Sequence, residues 1–177
     1  MSTQTQPNAR YRRIVRIRWG VAALVSLLVV AVIWDSVRVM TRPRAQINFT
    51  ASTLQGKDWS LATYRGKKPV IVSFFATWCS PCKMELPHLV KLREKYRDRG
   101  LELVIITRES ADEVKKFPEF LQMPVTLITD GSSIFDDYKV DGIPHTLLFD
   151  RAGKLAFEEE GYTEASMVEL EKRLTTP

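Results

Sequence analysis

The stretch P-V-I-V-S-F-F-A-T-W-C-S-P-C-K-M-E-L-P, residues 69–87, decides the fold expected of this chain. Its first part, residues 69–76, is a short run of β-branched and aromatic side chains, which predicts a strand buried on both faces. Residues 80–99 follow with apolar side chains at helical spacing. The only cysteines of the chain, Cys79 and Cys82, are therefore expected where a buried strand turns into a helix.

Predicted strands and helices continue to alternate after this stretch. In chain order they are a strand at 101–107, a helical segment at 109–122 broken near Pro118, a strand at 125–129, a short helix at 132–140, a hairpin around R-A-G at 151–153 and an amphipathic helix at 163–174. Strands alternating with helices predict βαβ units with parallel strands, and the final hairpin adds antiparallel ones. The expected fold class is α/β, with a mixed central sheet flanked by helices.

The net positive charge of the chain lies in its N-terminal segment. Residues 1–44 carry eight arginines and one acidic residue, a net charge of +7, whereas the rest of the chain has 18 basic and 20 acidic residues, a net charge of −2. A nucleic-acid-binding domain would carry a basic patch on its folded surface. We therefore expect no nucleic-acid partner.

Residues 19–34 form an uncharged run of sixteen residues with a tryptophan at each end. As a helix they would span about 24 Å, and extension to Met40 reaches the roughly 30 Å of a bilayer core. Tryptophans at both ends are typical of a membrane-spanning helix, and five arginines without an acid precede the run, which favours a cytoplasmic N-terminus. The sequence predicts one transmembrane helix at 19–40.

A cleaved signal peptide is the alternative interpretation of this N-terminus. Such a peptide has a shorter apolar region followed by a small-x-small site, and the run here ends instead in I-W-D-S-V-R. The predicted organisation is therefore a basic cytoplasmic segment at 1–18, the anchor at 19–40, a linker at 41–57 and a domain outside the cytoplasmic membrane at 58–177.

The cysteine pair has four possible interpretations. A structural zinc site needs four ligands, and the two histidines, His88 and His145, lack the spacing of a zinc motif. A purely structural disulfide would close a loop too short to restrain the unfolded chain much. A Cu(I) site could combine Cys79, Cys82 and His145. The fourth interpretation is a dithiol-disulfide redox couple.

The physical chemistry of the redox interpretation comes from the predicted turn. At the N-terminus of a helix the sulfur of Cys79 would meet unpaired N–H groups and the positive end of the helix dipole, which favour the thiolate. Cys82 would lie one helical turn further on and deeper, as the thiol that resolves a mixed disulfide. Pro81 fits the first turn, where its missing N–H costs no hydrogen bond.

The motifs resemble those of the thioredoxin fold, and most closely those of the membrane-anchored TlpA/ResA-type thiol-disulfide oxidoreductases of bacterial periplasms. The resemblance covers about residues 50–175 and rests on F-F-A-T-W-C-S-P-C-K-M-E-L-P at 74–87, on the preceding L-A-T-Y-R-G-K-K-P at 61–69 and on G-I-P-H-T-L-L-F at 142–149. It implies that Cys79 is the nucleophile and Cys82 the resolving thiol. Pro144 would be a cis-proline beside the disulfide.

The same resemblance assigns roles to further residues. Ile143 would offer backbone groups to a substrate strand, and Trp78 would flank the site. Glu85 matches an active-site glutamate that could accept the proton of Cys82, although a solvated glutamate in the first helical turn is the alternative. Ser73 departs from the buried aspartate that many thioredoxins carry six residues before the first cysteine.

His145 directly follows the expected cis-proline, so it is predicted to lie near the cysteines. A structural role is favoured for it over a catalytic or metal-binding one, but close to Cys79 it would modulate the pKa of that thiol. The acidic run at 158–160 is expected to be a solvated strand end.

The resemblance implies an enzyme that needs no metal or organic cofactor and exchanges disulfides with protein substrates. A transmembrane thiol reductase would supply electrons, and the substrates would be apocytochrome c or copper-site proteins. The chain has D-G-I-P-H-T-L where the cytochrome-maturation branch would have G-V-x-G-x-P-E-T-F, which favours a general or specialised non-cytochrome role. A Cu(I) chaperone and a non-catalytic adaptor remain alternatives.

Overall fold

The five-stranded sheet is built around β3 (Val70–Phe75), every residue of which is buried. The computed structural model describes residues 24–34 and 48–175. Within the sheet, β3 runs parallel to β4 (Glu102–Thr107) and antiparallel to β6 (His145–Phe149). A strand this apolar on both faces must be covered on both sides, which explains its central place. The predicted strand at 69–76 is confirmed.

The edges of the sheet are β5 (Thr126–Ile128), parallel to β4, and β7 (Leu155–Glu160), antiparallel to β6. The strand order is β5-β4-β3-β6-β7. Gly153 allows the tight turn between β6 and β7 because its φ of 76° lies in the left-handed region. The predicted mixed sheet with a final hairpin is confirmed.

Five α-helices lie between or after the strands in residues 48–175. They are α2 (Ser80–Lys95), α3 (Ala111–Val114), α4 (Pro118–Leu121), α5 (Ser132–Asp137) and α6 (Glu164–Thr175), counted after the N-terminal helix α1 at residues 24–34. The interruption predicted near Pro118 separates α3 from α4, because proline cannot donate the hydrogen bond that would continue α3. The helix predicted at 80–99 ends earlier, and its last turn is a 3₁₀ helix at Arg97–Arg99.

Two apolar clusters pack on the two faces of the sheet. The cluster that contains the cysteines joins α2 and α6 to one face and includes Ile71, Cys79, Cys82, Leu86, Leu89 and Leu170. The opposite cluster includes Trp59, Phe74, Phe135, Tyr138 and Leu147. Alternate residues of β3 thus point into different cores, as the two-residue period of a strand requires.

The domain begins earlier than the sequence predicts. Residues 50–52, assigned to the linker at 41–57, form β1 (Thr50–Ser52), which pairs with β2 (Asp58–Ser60). The hairpin also joins the sheet edge, since the N–H of Leu54 donates to the carbonyl of Leu127 at 2.8 Å. Residues this polar lack a clear sequence period, and their structure comes from pairing with their neighbours.

Half of the predicted membrane anchor at 19–40 lies outside the described residues, and so do residues 1–18 and 41–47. Its described part, residues 24–34, is helical with exposed side chains. Among the helices that the structure describes, none has both the length and the apolar character needed to cross a membrane.

Candidate functional site

Cys79 and Cys82 form a disulfide at the junction of the sheet and α2. Cys79 is the N-cap of the helix, and its Sγ accepts a hydrogen bond from the backbone N–H of Cys82 at 3.2 Å. Both residues are buried, Cys79 with 4% of its surface exposed and Cys82 with 1%. The predicted geometry is confirmed: one sulfur meets the N-terminus of the helix, and the other lies deeper.

Two residues next to the cysteines, Trp78 and Pro81, are exposed. Pro81 lies in the first turn of α2, as predicted, where no intrahelical bond is lost. Trp78 has 72% of its surface exposed, which is unusual for an indole ring. A large apolar side chain held in solvent next to a disulfide can provide contact area to another protein.

Ile143 and Pro144 face the disulfide from the start of β6. The peptide bond between them is cis. The Ile143 carbonyl oxygen lies 3.8 Å from Cys79 Sγ, and Pro144 is buried. Strand pairing explains the approach, because β6 runs antiparallel to β3 and begins where β3 ends, next to the cysteine turn. The structure therefore brings these two predicted residues to Cys79.

Glu85 is buried one turn beyond Cys82, with 1% of its surface exposed. Its carboxylate accepts hydrogen bonds from the hydroxyls of Thr146 at 2.8 Å and Ser73 at 3.2 Å. Burial raises the pKa of Glu85 from 4.5 to about 7, and the two hydroxyls oppose that shift. The alternative of a solvated helix-start glutamate is wrong.

Ser73 is the residue that departs from the thioredoxin pattern, and its place in the structure gives it a use. Ser73 and Thr146 are paired across β3 and β6, so both hydroxyls face the same core as Glu85. A carboxyl group whose pKa lies near neutrality can accept and return a proton at physiological pH. Where many thioredoxins carry the acidic residue on the strand, this chain has it on α2 as Glu85, and the strands β3 and β6 supply hydrogen-bond donors.

His145 does not lie at the cysteine pair. It is the neighbour of Thr146 in β6, and since Thr146 faces Glu85, the side chain of His145 points to the opposite face of the sheet. There its ring packs edge-on against Phe74, with 6.1 Å between centroids. The expectation that His145 approaches Cys79 and modulates its thiol is wrong.

The partners of His145 come from the acidic run that was expected to be solvated. Its Nε2 lies 3.0 Å from a carboxylate oxygen of Glu158, and its Nδ1 lies 3.9 Å from one of Glu160. Glu158 is only partly exposed, so the run is not a plain solvated strand end. The Cu(I) alternative also fails, because its three ligands would lie on two faces of the sheet.

Glu109 is a site residue that the sequence reasoning missed. It follows β4, and its carboxylate accepts hydrogen bonds from the backbone N–H and the hydroxyl of Thr77, two residues before Cys79. Because β3 and β4 are parallel, their carboxyl ends meet at one edge of the sheet, where sites commonly form. The sequence signal that could have identified Glu109 is the position of an acidic residue just after β4.

Comparison with known proteins gives consistent results over most of the chain. Residues 44–158 match the AhpC/TSA family. The chain is 34% identical over 132 residues to the thiol-disulfide oxidoreductase ResA of Bacillus thuringiensis subsp. konkukian, covering 72% of this chain and 75% of that protein. It is 30% identical over 147 residues to the thioredoxin-like protein YneN of Bacillus subtilis, covering 77% and 85%.

A solved structure is similar as well. A thiol:disulfide interchange protein of the thioredoxin family from Chlorobium tepidum TLS matches with a TM-score of 0.63 and 26% identity, covering 76% of this chain and 95% of that one. Each likeness extends over most of both chains and is not confined to a local motif.

Proposed function

Because this chain belongs to the AhpC/TSA family and is a thiol-disulfide oxidoreductase of the ResA type with a thioredoxin-like fold, we propose that Cys79 attacks disulfides of protein substrates and that Cys82 resolves the product. The Cys79 thiolate bonds to one substrate sulfur and releases the other as a thiolate. Cys82 then bonds to Cys79 Sγ and releases the second substrate sulfur. The substrate disulfide gains two electrons, and the protein is left as the Cys79–Cys82 disulfide.

The observation that carries this proposal is the hydrogen bond from the Cys82 N–H to Cys79 Sγ. The same N–H, together with the N-terminal end of α2, would stabilise negative charge on Cys79 once the disulfide is reduced. Cys82 lies deeper and lacks that position at the cap. The geometry therefore supports Cys79 as the attacking sulfur and Cys82 as the resolving one.

Glu85 is proposed to accept the proton that Cys82 loses before it attacks. The carboxyl lies one helical turn from Cys82 in the same apolar core. With a pKa of about 7 it is partly ionised at neutral pH, so it can take a proton and later release it. The hydroxyls of Ser73 and Thr146 hold the carboxylate in place meanwhile.

Substrate is proposed to dock beside the disulfide against Trp78, Ile143 and Pro144. The segment before Pro144 is partly exposed next to Cys79, and we propose that an extended substrate segment pairs with its backbone as an added strand. Trp78 offers exposed apolar area for the flanking substrate residues.

The cellular setting is proposed from the N-terminal sequence. Residues 19–40 would anchor the protein in a bacterial cytoplasmic membrane, with residues 1–18 in the cytoplasm and the catalytic domain in the periplasm. There it would act as a reductant in the maturation of cytochrome c or of a metal-site protein, and a transmembrane thiol reductase would return electrons to it. In an oxidising compartment the thiols of such client proteins form disulfides, so a reductant is needed to return them to the thiol state.

The test is substrate trapping with Cys82→Ser in the native membrane. Without the resolving thiol, the mixed disulfide on Cys79 should accumulate, and mass spectrometry would identify the attached proteins. Cys79→Ser is the matched control and should trap nothing. Equal recovery of disulfide-linked partners from both variants would contradict Cys79 as the nucleophile, and clients without apocytochrome or metal-site proteins among them would contradict the proposed role.

A further inference from the structure

The carboxylate of Glu109 binds the turn that carries the nucleophilic cysteine. It accepts the backbone N–H of Thr77 at 2.6 Å and also the Thr77 hydroxyl. The turn is closed from within by the N–H of Cys79, which donates to the carbonyl of Ala76 at 3.1 Å. Thr77 itself is buried, so its N–H has no water to turn to if the carboxylate is removed.

Glu109 is in turn fixed by its own surroundings. The Thr107 hydroxyl donates to the carboxylate at 3.0 Å and accepts the N–H of Glu109 at 3.2 Å. The carbonyl of Glu109 accepts the N–H of Asp130 at 2.9 Å. Thr107 is paired with Phe75 in the parallel ladder, so the carboxylate is tied to the same sheet that carries the turn. A side chain held this way can position its partner.

We propose that Glu109 is a positioning residue for Cys79, an inference that rests on the proposed role of Cys79 as the attacking sulfur. By holding Thr77, it keeps the Ala76–Cys79 turn in the conformation that places Cys79 Sγ 3.2 Å from the Cys82 N–H. That distance decides how strongly the helix N-terminus stabilises the thiolate, because the interaction falls off within the first turn. Glu109 acts on the sulfur through the backbone and does not need to touch it.

Positioning and direct charge make opposite predictions, which renders the proposal testable. If Glu109 acted through its negative charge, it would disfavour the thiolate, and its removal would lower the pKa of Cys79. If it acts by holding the turn, its removal loosens the contact with the Cys82 N–H and raises that pKa. The sign of the change separates the two.

The experiment uses the full chain with Cys82→Ser, which leaves Cys79 as its only thiol. The rate of alkylation by iodoacetamide, followed against pH, gives the thiol pKa. We expect Glu109→Ala to raise it by about one unit, so that alkylation below the pKa slows about tenfold. Glu109→Gln, which keeps one acceptor oxygen, should give a smaller rise.

Glu113→Gln is the matched control. It also removes a carboxylate near the start of α3, but that carboxylate binds Ser110 and not the turn, so the Cys79 pKa should stay unchanged. Should Glu109→Ala not fold, Thr77→Val removes only the hydroxyl donor and should still raise the pKa. The effects of Thr77→Val and Glu109→Gln on the pKa should not add, since both changes weaken the same contact between Thr77 and Glu109. An unchanged or lowered pKa in Glu109→Gln and Thr77→Val overturns the proposal.

Discussion

Two buried polar groups lie back to back across the sheet near the carboxyl end of β3. On one face, Glu85 is surrounded by the hydroxyls of Ser73 and Thr146. On the other, one residue along each strand, His145 lies against Phe74 and a carboxylate of Glu158. Among the described residues, the donors to Glu85 are neutral hydroxyls, so its ionisation remains costly. His145 has acidic neighbours that are partly open to solvent.

The difference shows how a two-residue period separates chemistry from structure within one strand pair. The pKa of Glu85 is raised to about 7 in the core that contains the disulfide, where the proposed reaction needs a proton acceptor. The His145 ring lies on the face of the other core, and its contact with Glu158 joins β6 to β7. Adjacent residues in β6 therefore serve different ends, and mutations on each face should have separable effects.

Glu85→Gln should give the largest effect, on the resolving step. Without a proton acceptor near Cys82, the attack on the mixed disulfide at neutral pH should slow about a hundredfold to a thousandfold. The measurement is the release of the second thiolate from a chromophoric aromatic disulfide in a single turnover. Glu158→Gln makes the same change on the opposite face and should leave this rate within about twofold. Equal slowing in both variants would remove the distinction between the faces.

The second effect concerns stability and pH. The folded-state pKa of Glu85 lies above the unfolded value, so the folded protein holds a proton that the unfolded chain releases. The contribution of this proton to the free energy of unfolding is fully present below pH 4.5 and is lost as pH rises through 7. Its upper limit is about 3 kcal/mol. Urea unfolding of the oxidised wild type and of Glu85→Gln should therefore be measured at several pH values. The difference between their free energies of unfolding should change over this window, because only the wild type loses stability there. A constant difference between the two would contradict the raised pKa.

Thr146→Val should have a smaller effect of the same kind. It removes a hydroxyl that lowers the pKa of Glu85, so the pKa should rise further and the inflection of the resolving rate should move to higher pH. The loss of one buried hydrogen bond should cost about 1 kcal/mol of stability. Thr146→Ser keeps the hydroxyl and should restore the inflection. A shift in Thr146→Ser as large as that in Thr146→Val would contradict the hydroxyl as the cause.

The strand-cysteine-helix order and the place of Cys79 could be predicted from local pattern, because each depends on residues close together in the chain. The mixed sheet could be predicted from the order of strands and helices along the chain. The face to which His145 points could not. Every residue of β6 is buried, so the strand shows no polar-apolar alternation that would reveal which residues point to the cysteines. Only its register with β3, set by long-range pairing, decides that.

Glu109 and Ser73 were hidden for a related reason. The contact between Glu109 and Thr77 joins residues 32 positions apart, through two parallel strands whose relative register no local signal fixes. Ser73 could be recognised as a departure from the thioredoxin pattern, but its hydroxyl has a meaning only once the helix brings Glu85 to it. The sequence pattern thus shows where a polar residue interrupts an apolar run. Its role becomes clear only when the structure shows which residues pack against it.

His145→Gln should have the smallest effect on catalysis. Because the sheet lies between its ring and the disulfide, the alkylation rate of Cys79 and the resolving rate should stay within about twofold of wild type. The variant should lose stability instead, since its amide cannot fill the space of the ring against Phe74. Thermal unfolding and the two rates, measured on one preparation, separate these outcomes. A shift in the Cys79 pKa would mean that the Ile143–Pro144 segment transmits changes from one face to the other, and the back-to-back independence of the two groups would then be wrong.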